Sequence, residues 1–144
     1  MNQILYTCEH FTWREALWLS RWGIEADPDA EQRWNIMDLA HRMEIVREIL
    51  RVPIVITSWL RPFIPSRGDY NKLIGGAALS AHRVGKAADF IPITMTCDEA
   101  LLRLAPYLEA LGLRAEDNGE SKGRAWIHLD TYPVQPGGNR IFQP

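Results

Sequence analysis

The stretch "LSAHRVGKAADFIP", residues 79–92, sets Asp89 between Ala88 and Phe90 in a run that otherwise reads as buried strand. A buried carboxylate must be paired, hydrogen-bonded or placed on a metal, because its desolvation alone costs several kcal/mol. Any fold built around this run has to bring Asp89 a partner. His82, earlier in the same stretch across Gly85, is the nearest group able to share a metal ion with it. "WIHLD" supplies His128 inside a second apolar run, where a histidine is as anomalous as Asp89. Two histidines and one carboxylate are a common catalytic zinc set, with the fourth position left to water. Each residue also has a plainer reading: a strand histidine hydrogen-bonded in the core, and an aspartate that caps a turn or pairs with an arginine.

With 144 residues the chain is long enough for one domain, residues 1–144, to have a core of its own. A net charge of -2 gives no electrostatic reason to expect nucleic acid as a partner. Cys8 and Cys97 lie far apart with no C-x-x-C spacing, so both read as ordinary small side chains. No stretch approaches a membrane span and the first residues lack a signal-peptide pattern. The expectation is cytoplasmic synthesis and a monomer.

Thr12-Trp13-Arg14-Glu15 has the form of a capping box and predicts a helix of roughly ten residues, closed at Gly23. Asp27-Pro28 predicts the start of a long helix with Ile36, Leu39, Met43, Val46 and Leu50 on its buried face. Residues 52–60 read as a continuous buried strand and residues 62–78 as a long binding loop. Thr96-Cys97-Asp98-Glu99 caps another helix, with Leu101, Leu104, Leu108 and Leu111 on one side, a kink at Pro106 and an end at Gly112. Residues 113–116 and 125–132 suggest an antiparallel pair joined by a polar, floppy loop, and the tail reads as irregular. Helices first and strands gathered later predict an α+β domain, an antiparallel sheet flanked by helices.

Ser80-x-His82-x-x-Gly85-x-Ala87-x-Asp89 followed by Trp126-x-His128 resembles the signature of the zinc D-alanyl-D-alanine carboxypeptidases and the related peptidases of phage endolysins. "HFTWREAL", "ITSWLRP" and "YNKLIGGAALSAHRVGKAADF" extend the resemblance over most of the chain. It implies a small α+β domain with one zinc ion on the sheet, held by His82, Asp89 and His128, and the stem peptide of peptidoglycan as substrate. One branch of that family has an acidic residue three positions before the last histidine, where this chain has Ala125. Another places a glutamate at the end of the preceding strand, and Glu116 fits it as general base. Asp130 is the rival, since it shares a strand face with His128; Asp117 and Glu120 read as solvated loop charges.

The resemblance further implies that Arg61 meets the substrate's carbonyl or carboxylate, and that Ser80 binds substrate or braces the ligand turn. Trp126 faces the same way as His128 and reads as a pocket wall. Tyr70 and Asn71 read as loop structure, and His10 and His41 as structural. The function implied is a zinc peptidase of the D,D-carboxypeptidase or endopeptidase type, in a phage or prophage lysin that reaches the cell wall through a holin-type pore. The alternative is a phage structural or wall-binding module that keeps the fold without turnover.

Overall fold

A computed structural model of the chain describes residue 4 and residues 8–117 and 125–143. Thr12 and Glu15 form the reciprocal capping box, but the helix it opens, α1 (Trp13–Leu17), is shorter than predicted. The residues that follow turn into a hairpin, β1 (Trp18–Leu19) and β2 (Ile24–Glu25), which buries Leu19. Gly23, with φ +63°, therefore serves that turn rather than a helix end. The long helix α2 (Ala30–Leu50) is capped at Asp29, whose side chain accepts from the Gln32 N–H. Its Ile36, Leu39, Met43, Val46 and Leu50 are all buried, as their spacing predicts.

β3 (Ile54–Ser58) is not buried throughout: Ile54 is buried, but Val55 and Thr57 are exposed, because alternate residues face the side of the sheet away from the core. The long loop predicted next is interrupted by a hairpin, β4 (Phe63–Ile64) and β5 (Gly68–Asp69), and a helical turn, α3 (Tyr70–Leu73). Only residues 74–80 remain as loop before a 3-10 turn over Ala81–Val84. Gly85 ends that turn with φ +80°, and a Cβ there would sit 3.0 Å from both the Gln32 carbonyl and Ile36 of α2. Conformation and contact both disfavour a side chain, so glycine lets the turn lie close against the helix, where Gln32 and Asn35 donate to the Arg83 and Val84 carbonyls.

β6 (Ala87–Pro92) runs antiparallel to β3. α4 (Cys97–Leu104) carries the Thr96–Glu99 capping box. The helix narrows to a 3-10 turn at Pro106 and resumes as α5 (Leu108–Leu111), ending at Gly112 with φ +64°. β7 (Arg114–Glu116) and β8 (Ile127–Asp130) pair antiparallel, and β8 also pairs with β6. The tail is not irregular throughout, since β9 (Ile141–Phe142) adds to β7 in parallel. Among the described residues this gives a five-stranded mixed sheet, ordered β3-β6-β8-β7-β9, in an α+β fold with helices against it.

Strand alternation divides the sheet. Ala88, Phe90, Ala115, Ile127 and Leu129 point into the hydrophobic core with α2 and α4. The opposite face carries Asp89, His128, Asp130, Arg114 and Glu116, and it is the face that opens on the cleft. Among the described residues no helix is long and apolar enough to cross a membrane.

Candidate metal centre

The register assembles the centre from separate strands. Ser58 of β3 lies opposite Asp89 of β6, and Asp89 lies opposite His128 of β8. Ala115 pairs with Leu129, so one step along the same register Glu116 falls across from His128. The next row sets Ala87 and Arg114 on either side of Asp130. His82 comes from the 3-10 turn, where the Ser80 hydroxyl accepts from its N–H at 3.3 Å.

Three atoms converge. His82 Nε2 is 3.1 Å from Asp89 Oδ1 and 3.2 Å from His128 Nδ1, and His128 Nδ1 is 2.9 Å from Asp89 Oδ1. Each histidine is turned by its other nitrogen. His82 Nδ1 donates to the Trp59 carbonyl at 2.6 Å, and His128 Nε2 donates to Asp130 Oδ2 at 3.0 Å. Two imidazole nitrogens and a carboxylate oxygen are thus aimed at one point, an arrangement that could hold a metal cation. Tetrahedral ligands about 2.0–2.1 Å from zinc lie about 3.3 Å apart, close to the spacing found here. The donor set fits the ion.

Burial opposes charge on Asp89, but hydrogen bonds from His128 and His82 prevail and hold its carboxyl well below the usual range. His82 is driven the other way, lowered chiefly by burial. Burial also opposes charge on His128, yet Asp130 and Asp89 raise it to about 9. A histidine raised on folding contributes stability that is complete below its unfolded value of 6.5 and lost as pH rises through 9. The metal-free protein should therefore lose melting temperature between about pH 6.5 and 9, and saturating zinc, which replaces the proton, should flatten that loss. Differential scanning calorimetry of both forms checks this. A metal-free profile level across the window would show that His128 carries no such proton.

Around the three atoms lies a cleft of about 650 Å³, lined among others by Arg61, Ser80, Glu116, Trp126, Asp130 and Tyr132. Arg61, expected to face substrate, is tied to the centre: Nη2 donates to Asp89 Oδ2 at 2.7 Å and Nε to the Ser58 hydroxyl at 2.9 Å. Trp126 is half-exposed on the wall. Asp130, the second carboxylate considered as a base, is buried with both oxygens engaged, by His128, Arg114 and the Tyr132 N–H. Asp117 lies beyond the end of β7 and accepts from Gln143, while Glu120 is outside the described residues.

The remaining residues are elsewhere or structural. His10 bonds Glu44, which also accepts from the buried Cys8 thiol, and His41 is exposed on α2. Cys97 is buried at the start of α4. The Tyr70 hydroxyl accepts from the Arg21 N–H, and Asn71 Nδ2 donates to the Ala77 carbonyl, fastening the loop that forms one cleft wall. Arg114 and Phe142, both in the cleft, escaped the reading of the sequence. Arg114 was discoverable, because it precedes Glu116 by the period of a strand and so shares its face.

Two imidazoles and a carboxylate gathered on a sheet at the base of a cleft define a mononuclear metallohydrolase type of centre. The family model described as Peptidase M15 matches residues 9–130, and the chain belongs to this family of metallopeptidases. No curated protein matches the chain.

Proposed function

We propose that the protein is a zinc-dependent peptidase that hydrolyses the stem peptides of peptidoglycan. The observation that carries the reading is the convergence of His82, Asp89 and His128 at the base of a cleft that Glu116 also lines. Zinc held by these three residues would supply Lewis acidity and acidify water at neutral pH. Glu116, across from His128 in the sheet, takes the proton of the attacking water and delivers it to the departing amine nitrogen. Arg61 sets a fixed positive charge beside the reacting carbonyl and offsets the negative charge that grows on its oxygen. The loop over residues 74–80 and Trp126, which line the cleft, hold the peptide. The motif resemblance extends the proposal to a phage or prophage lysin released to the wall through a holin-type pore.

The test is mass spectrometry of purified muropeptides incubated with zinc-loaded protein. Loss of a terminal alanine would identify a carboxypeptidase, and two peptide fragments an endopeptidase. Intact muropeptides after exposure to folded, zinc-loaded protein would overturn the proposal and leave the wall-binding module in its place.

A further inference from the structure

We propose that Arg114 is a positioning residue of the metal centre, acting on His128 through Asp130 and held in place by the C-terminal strand. The inference rests on the metal reading above. Arg114 meets Asp130 in a two-pronged pair, Nε to Oδ1 at 2.8 Å and Nη2 to Oδ2 at 2.9 Å. Asp130 is only 1% exposed, and its oxygens also accept from His128 Nε2 at 3.0 Å and from the Tyr132 N–H at 3.0 Å. Four donors on two oxygens leave that carboxylate no freedom to turn. The direction of the His128 Nε2–H bond is thereby fixed, and with it the direction in which Nδ1 faces His82 and Asp89. Such partners behind a ligating histidine set its tautomer and ring orientation. When His128 is neutral, as a metal ligand is, Arg114 supplies the cation that compensates the buried carboxylate of Asp130.

Arg114 is itself held. Its guanidinium carbon lies 4.1 Å from the centre of the Phe142 ring and 5.8 Å from that of Tyr132. Phe142 stands on β9, opposite Glu116 in the parallel pairing with β7, and its ring meets His128 edge-on at 6.1 Å. Tyr132 and Phe142 both lie beyond the family match, which ends at residue 130. Residues 132 and 142 thus support the centre from outside the matched range.

The test measures zinc affinity by chelator competition and the visible spectrum of the cobalt-substituted protein. Arg114→Met keeps a long unbranched side chain on the same strand face but removes the guanidinium and its donors. It should weaken zinc binding roughly tenfold to a hundredfold and alter the cobalt spectrum. Arg114→Lys should recover part of both. Asp130→Asn should act in the same direction, and adding Arg114→Met to it should have little further effect, since the two act in series. Unchanged affinity and spectrum in folded Arg114→Met, or full additivity in the double variant, would overturn the proposal. If Arg114→Met does not fold, Arg114→Gln is judged by the same criterion. Absence of zinc binding by the wild-type protein would sink the metal reading and this inference together. Equal binding by wild type and Arg114→Met sinks this inference alone.

Discussion

Glu116→Gln should leave the fold and zinc uptake intact while lowering kcat by roughly a hundredfold or more, the scale usual for removing a general base. The substitution keeps the size and most of the hydrogen bonding of the side chain and removes only its basicity. The proposed mechanism gives this role to Glu116 rather than Asp130 on two grounds. Glu116 continues the row that holds Asp89 and His128 and lines the cleft, whereas Asp130 has both oxygens occupied behind His128. A carboxylate already accepting four hydrogen bonds has no lone pair placed to take a proton from water in the cleft. Asp130→Asn should consequently act through metal affinity, with a lost rate that excess zinc partly restores. In Glu116→Gln excess zinc should restore nothing. Steady-state kinetics across a zinc titration separates the two, and full activity in Glu116→Gln would remove it from the mechanism.

The centre was legible in the sequence because it breaks local rules. A carboxylate and a histidine inside apolar runs each demand an explanation, and strand alternation says which neighbours share their face. The helices were legible for the opposite reason, since the capping box at Thr96 and the leucines from Leu101 to Leu111 agree with one another. What escaped depended on partners distant in sequence. Whether β3 lay inside the sheet or at its edge is decided by which strands pair, not by its own β-branched residues. β9 is two residues long and has almost no pattern of its own; its place comes from hydrogen bonds offered by β7. The helix expected to run to Gly23 instead gives way at Trp18 to a hairpin that buries Leu19. The sequence left Asp89 open between a metal and an arginine. In the structure one oxygen faces the histidines and the other faces Arg61.

That division of labour makes Asp89 the residue whose loss should do the most damage. Asp89→Ala should abolish stoichiometric zinc binding and turnover, and should also destabilise the metal-free protein by about 3–5 kcal/mol, the cost of breaking a buried ion pair from one side. Arg61, with a side chain only 13% exposed, would lose its ion pair with Asp89 and keep the hydrogen bond to the Ser58 hydroxyl, and His82 and His128 would lose the negative charge between them. His82→Ala should also lose zinc but destabilise less, because it removes a neutral ring and leaves Arg61, Asp89 and His128 paired. The contrast separates the two duties of the carboxylate. If Asp89 served the metal alone, both variants would lose zinc and melt alike without it; if it served Arg61 alone, Asp89→Ala would be unstable yet still bind one zinc. Elemental analysis of the purified variants and urea unfolding of their metal-free forms distinguish these outcomes. Zinc retained near one equivalent in Asp89→Ala would show that the carboxylate at the centre of the cluster is the anchor of Arg61 and not a ligand.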